Sequence, residues 1–222
     1  MKNPKLYDVT LRDGNHALRH TLTAEFVKSY CQYADTSDVW AIEVGHGNGL
    51  GASSHLVGKS KESDCDLLEA ARQHLTSTKL AVHSIPGFAT IKRDIKPAIA
   101  IGVDIFRIAT HVTEADVSQK HIEYLASNDV EVHGVLMMSH MIDLAGLIKQ
   151  VSLMKKYGAR AVILMDSAGY FIPADVLIWP SFLQVVPGFT AAVAVERFNE
   201  RTKQPIKMVT ATRFIPPRIS TG

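Results

Sequence analysis

Cysteine is scarce in this 222-residue chain: Cys31 and Cys65 are the only two. That is too few for a disulfide framework, and the absence of any C-x-x-C pair argues against a zinc or dithiol centre. Long apolar runs are missing as well. None approaches the roughly 18 residues of a membrane span, and the opening "MKNPKLYDVTLRDG" lacks the apolar core of a signal peptide, so the expected location is the cytoplasm. Charge of one sign is not concentrated either. A formal net charge of +2 with no long basic stripe gives no electrostatic reason to expect nucleic acid or a membrane surface as partner, and a small charged ligand fits better. There is no G-x-G-x-x-G. The stretch "GHGNGLG" places glycines at 45, 47, 49 and 51, a period of two that suits a loop rather than a phosphate-binding helix start.

What is present is a repeating alternation. Apolar or β-branched runs begin near 6 ("LYDVT"), 40 ("WAIEV"), 79 ("KLAVHS"), 104 ("DIFRIA"), 130 ("VEVHGVLMM") and 161 ("AVILMD"), and each reads as a strand. Segments of helical period lie between them, such as "DLLEAARQHL" from 66, "EADVSQKHIEYLASN" from 114 and "MIDLAGLIKQVSLMKKYG" from 141, the last ending on Gly158 as a C-cap. About 31 residues separate successive strand starts, the size of a strand plus a crossover helix. This alternation predicts an α/β fold with parallel strands, either a (β/α)8 TIM-type barrel or an open doubly wound sheet.

Polar clusters follow every strand: "RDGNH", "GHGNG", "SIPG", "THVTE", "SHM" and "DSAG". A ring of functional loops at one strand end favours the barrel, because an open sheet concentrates them at one switch point. Only six βα units are recognisable, however, so the barrel is expected to be incomplete. Residues 1–175 form the expected partial barrel. Residues 176–222 hold five of the nine prolines and six Lys or Arg against two Asp or Glu, an atypical Pro-rich basic tail in which only one helix, near "AAVAVERFNERT", is suggested.

The first loop carries the chemistry. Arg12, Asp13, His16, Arg19 and His20 fall within nine positions just past the first strand. An Arg-Asp pair there is commonly a surface ion pair, and a lone His is commonly structural. Together they form a lyase toolkit: an Asp can ligate a divalent cation, an Arg can stabilise an oxyanion and a His can move a proton near neutral pH.

At these residues the chain resembles a known family. "DVTLRDGNHALRH", "IEVGHGNGLGASS", "LMMSHM" and "DSAGY" are similar to motifs of the 4-hydroxy-2-oxovalerate aldolases, class II pyruvate aldolases of the DRE-TIM metallolyase superfamily, over about residues 4–175. The R-D-G element marks the superfamily, which includes isopropylmalate synthase. His16 three residues after Asp13, together with "HGNGLGASS", narrows it to the aldolases. The resemblance implies a divalent metal, usually manganese, with Asp13 as one ligand. It implies that Arg12 faces the developing enolate oxygen, that His16 removes the 4-hydroxyl proton, and that Ser167 lies near the pyruvate carboxylate. The expected reaction cleaves a 4-hydroxy-2-oxoacid to pyruvate and acetaldehyde, a step of aromatic hydrocarbon catabolism, with an acylating acetaldehyde dehydrogenase as partner.

One departure stands out. The family's H-x-H ligand pair on the seventh strand has no counterpart, and the last histidine is His140. Asp13 alone would hold a hard cation weakly, so weak metal affinity and impaired activity are expected. Two other readings remain open: a Claisen-type condensation on an acyl-CoA, and an inactive truncated aldolase with at most a binding role. Glu131 and His133 share a strand face and are expected as a hydrogen-bonded pair rather than metal ligands. His46, His111 and His140 are candidates for the pocket mouth. His20 is expected to pack locally, and His55, His74, His83 and His121 to be structural.

Overall fold

The computed structural model describes residues 5–171 and the backbone of four short strands beyond them, at 190–194, 198–199, 204–205 and 210–212. Six strands, β1 (Lys5–Asp8), β2 (Ala41–Glu43), β3 (Lys79–Ser84), β4 (Ile105–His111), β5 (Glu131–Met137) and β6 (Ala161–Met165), pair in chain order, each parallel to the next. They curl into a half-barrel, and crossover helices connect them. These are α1 (Gly14–Ala17) and α2 (Ala24–Ala34), then α3 (Asp64–Arg72), α4 (Lys96–Ile101), α5 (Gln119–Ser127) and α6 (Leu144–Tyr157).

Local chemistry sets the helix ends. Thr23 accepts from the Phe26 N–H at the start of α2, and Ser63 and Asp66 form a reciprocal capping box on α3. Asp143 caps α6, which ends on Gly158 at φ 111°, a left-handed conformation that glycine adopts without strain. The buried stripe Val27, Cys31 and Ala34 turns one face of α2 onto the sheet.

Alternation along the strands decides which residues face where. Ile42, Leu80, Val82, Phe106, Ile108, Val132, Leu136, Val162 and Leu164 belong to the large outer cluster packed beneath the helices, each fully buried. Residues of the opposite parity form two smaller apolar groups inside the curl, Tyr7, Ala41, Ala81 and Ile105, and Ala109, Val135, Ile163 and Met165. The inner face also carries Glu43, His83, Arg107 and His133, all buried. Most apolar burial therefore lies between sheet and helices. The inside of the curl is left for polar chemistry.

Beyond residue 171, β7 (Thr190–Ala194) pairs parallel with β6, β8 (Phe198–Asn199) and β9 (Gln204–Pro205) pair antiparallel with each other, and β10 (Thr210–Thr212) pairs antiparallel with β1. The helix expected near "AAVAVERFNERT" is therefore corrected, because its first part is β7. An open edge on β6 offers a full row of backbone partners, which outweighs the modest helix preference of three alanines. Val185, Val186, Ile206 and Val209, apolar residues of a kind that could add short edge pieces between the prolines, lie outside the described residues.

Candidate active site

The polar side chains gather at the carboxyl ends of the strands. The chain leaves β1 through a tight turn in which Arg12 and Asp13 both donate their backbone N–H to the Val9 carbonyl, at 3.0 and 2.8 Å. That turn sends the Arg12 side chain inward, where its Nε donates to Glu43 Oε1 at 2.6 Å. One terminal nitrogen reaches Asp13 Oδ1 at 2.8 Å and the Gly47 carbonyl at 3.1 Å. Glu43, the last residue of β2, also receives Arg107 from β4, with NH1 to Oε2 at 2.5 Å. One fully buried carboxylate thus serves two buried guanidiniums. Burial alone would raise its pKa, but the Arg107 and Arg12 charges outweigh burial and hold it down to about 2.

His83 projects from β3 into the same cluster, with its Cα in register with Arg107. Burial first, and then the Arg12 charge, depress its pKa to about 3, so it is neutral at pH 7. Its Nδ1 is buried without a hydrogen-bond partner among the described residues.

The loops after β1 and β2 bring three imidazoles together. His20 and His46 stack with ring centroids 3.7 Å apart and planes at 14°, and His16 meets His20 edge-on at 5.1 Å. Asn48 N–H donates to His46 Nδ1 at 3.0 Å, which leaves the ring proton on Nε2 for the Gly58 carbonyl at 3.0 Å. Burial lowers the pKa of both His20 and His46. Asn15 fastens the two loops, donating to the Gly45 carbonyl and accepting from the Leu22 N–H.

The structure brings Arg12, Asp13 and His16 together, but Ser167 is exposed on the loop after β6. Its hydroxyl accepts from the Met138 N–H at 3.1 Å and so ties the β5 and β6 loops. His111 bonds Thr113, and His140 stacks on Tyr170. Glu131 and His133 are hydrogen-bonded at 3.1 Å, at the opposite end of the sheet. Glu43 and Arg107 were missed by the motif reading. Their signal was a charge inside an otherwise apolar strand run, "WAIEV" and "DIFRIA".

For a divalent cation the fit is incomplete. Asp13 is half-exposed and gives one of its oxygens to Arg12. Among the described residues no group of three or more His, Cys, Asp or Glu is placed to hold a metal ion, whereas a hard cation takes about six oxygen ligands. Among these residues, too, no helix is long and apolar enough to cross a membrane.

A parallel βα half-barrel with an Arg-Asp-Glu cluster at its carboxyl end defines a class, and residues 3–190 match the HMGL-like family model: the chain belongs to that family. Within it, the chain is 47% identical over 208 residues to a protein named 4-hydroxy-2-oxovalerate aldolase from Pectobacterium atrosepticum, covering 94% of this chain and 60% of that protein. It is 52% identical over 169 residues to the protein of the same name from Spirochaeta aurantia, covering 76% and 50%. The chain therefore spans between half and three fifths of the length of these relatives. The carboxyl transferase domain of Rhizobium etli pyruvate carboxylase, solved with pyruvate and biocytin, superposes with a TM-score of 0.71 at 14% identity, over 87% of this chain and 35% of that one. That likeness shows the fold.

Proposed function

We propose that this chain carries the enolate-stabilising and proton-transfer part of a 4-hydroxy-2-oxoacid aldolase site, cleaving 4-hydroxy-2-oxovalerate to pyruvate and acetaldehyde. The supporting observation is Arg12, a guanidinium locked by Glu43 and Gly47 with His16 resting on that same glycine. His16 takes the proton of the 4-hydroxyl, the C3–C4 bond breaks, and its electron pair passes to the enolate of pyruvate, whose oxygen Arg12 faces. The enolate then takes a proton at C3 from solvent, and His16 gives its own proton up to solvent, which restores the base. Arg12 is held before the charge develops, so no reorganisation is needed at that moment.

Asp13 is the residue offered to a divalent metal, manganese by resemblance to the family. Among the described residues Asp13 belongs to no group of three or more His, Cys, Asp or Glu placed to hold such an ion. Ser167, on the β6 loop, is assigned to the pyruvate carboxylate, and residues 1–175 to the catalytic part of the chain. An acylating acetaldehyde dehydrogenase that consumes the aldehyde belongs to the same proposal.

Pyruvate release from 4-hydroxy-2-oxovalerate, assayed on the full chain with added manganese, tests the reading. Arg12→Ala is expected to lower kcat by about 100-fold or more with the fold retained by circular dichroism. Turnover equal to that of the unaltered chain would remove Arg12 from its role.

A further inference from the structure

Gly47 touches three functional side chains at once. Its N–H donates to His20 Nδ1 at 3.4 Å, and its carbonyl accepts from Arg12 at 3.1 Å. Its Cα lies under the His16 ring so closely that a Cβ there would stand 2.5 Å from the Cδ2, Cε1 and Nε2 atoms. Its backbone is not in the left-handed region, so glycine is needed here for space and not for φ.

His20 lies behind His16. Its Nδ1 is taken by the Gly47 N–H, which leaves its ring proton on Nε2, and it stacks flat on His46, itself pinned between Asn48 and Gly58. A second glycine makes room for this wall: a Cβ on Gly58 would stand 2.5 Å from His20 Cδ2. His16 itself is exposed and rests against this surface.

We propose that Gly47, backed by the His20–His46 stack, is a positioning cradle that sets the ring plane of His16 and its separation from Arg12. Gly47 and the two histidines act through His16 and touch no substrate. The functional part of this inference rests on the aldolase reading; the geometric part does not. Since Arg12 bonds the carbonyl of the residue on which His16 lies, one peptide unit fixes base and oxyanion partner relative to each other. Misplacement of a reacting group by about 1 Å can reduce a rate by about 100-fold.

Gly47→Ala in the full chain tests this, because the added methyl pushes against an exposed side chain that is free to swing away. The ring carbon–proton signals of His16, observed by NMR with 13C-labelled histidine, are expected to move while those of His74 and His121 hold. The melting temperature should stay within about 2 °C, and kcat for pyruvate release should fall about 100-fold with KM changed less than about threefold. Unmoved His16 signals, or moved signals with unchanged kcat, would overturn the proposal. Should Gly47→Ala fail to fold, His46→Ala is expected to shift the His16 signals and His46→Phe, which restores a flat ring, to return them. His16 signals indifferent to both would equally overturn it. An unaltered chain that releases no pyruvate would strike down the aldolase reading, while the ring signals would still decide the cradle.

Discussion

The two ends of the curled sheet's inner face both hold charged clusters, partly exposed at one end and buried at the other, and they resolve their charge differently. At the amino end, Glu131 takes Lys79 Nζ at 2.5 Å and His133 Nε2 at 3.1 Å, and His133 Nδ1 takes the Tyr7 hydroxyl at 2.8 Å. Trp40 closes that end, with Lys5 and Lys79 over its ring at 3.9 and 5.3 Å. One carboxylate there answers one adjacent ammonium, and the hydrogen bonds run on into a neutral imidazole and a phenol. At the carboxyl end, Glu43 divides itself between Arg12 and Arg107, and the imidazoles His20, His46 and His83 are held neutral beside them. A pair that cancels locally is a structural plug. At the carboxyl end one buried anion is shared by two buried cations and the second anion, Asp13, is half-exposed, so charge is balanced across a loop rather than within one pair.

Removing the shared carboxylate should break this comparison most severely. Glu43→Ala removes the carboxylate that both buried guanidiniums share, and urea denaturation is expected to show a loss of about 3–5 kcal/mol. A loss below about 1 kcal/mol would mean that the arginines find other partners.

Acid should separate the ends next. Glu43 and Glu131 are both held down to about 2 from an ordinary 4.5. For Glu131, as for Glu43, burial works the other way and is outweighed, here by its hydrogen bonds to His133 and Lys79. His83 is pushed down to about 3 from an ordinary 6.5. Each of the three binds fewer protons folded than unfolded. Their stabilisation is therefore full above the unfolded values and lost as pH falls through the folded ones. The His83 share goes between about pH 6.5 and 3, and the carboxylate share between about 4.5 and 2. Thermal melts from pH 8 to 3 should show the decline beginning below about 6.5. In His83→Gln the part above pH 5 should shrink, and an unchanged profile would show that His83 carries none of it.

The smallest effect belongs to the plug. Lys79 and Glu131 are partly exposed, with side chains 37% and 20% accessible, so solvent screens their attraction. Glu131→Gln should cost about 1 kcal/mol or less and leave pyruvate release unaltered. A large loss of turnover would show that the two ends are coupled through Arg107 and Tyr7, whose guanidinium and ring lie 5.3 Å apart.

How much was legible differs by element. The starts of all six parallel strands were readable to within a residue or so, because a strand buried between helices and an inner face must be apolar over its whole short length. Arg12, Asp13 and His16 were readable because they crowd a single loop. Glu43 and Arg107 were not, since 64 residues separate them and neither sits in a dense motif. Ser167 was expected near the pyruvate carboxylate, and the structure shows its hydroxyl engaged with the Met138 N–H. The segment from 190 to 194 misled, since its alanines carry no information about the open edge that recruits them.

Composition and local pattern by themselves determined the α/β class, the parallel order and the crowding of Arg12, Asp13 and His16 in one loop, because these follow from periodicity and from which residue types are adjacent. Only the tertiary structure decided that one glutamate would serve two arginines, that His20 and His46 would stack behind His16, and that Gly47 would join His16 to Arg12. Those relations need strands β1, β2, β3 and β4 to curl side by side, and the distances that result are properties of the fold rather than of any stretch of chain.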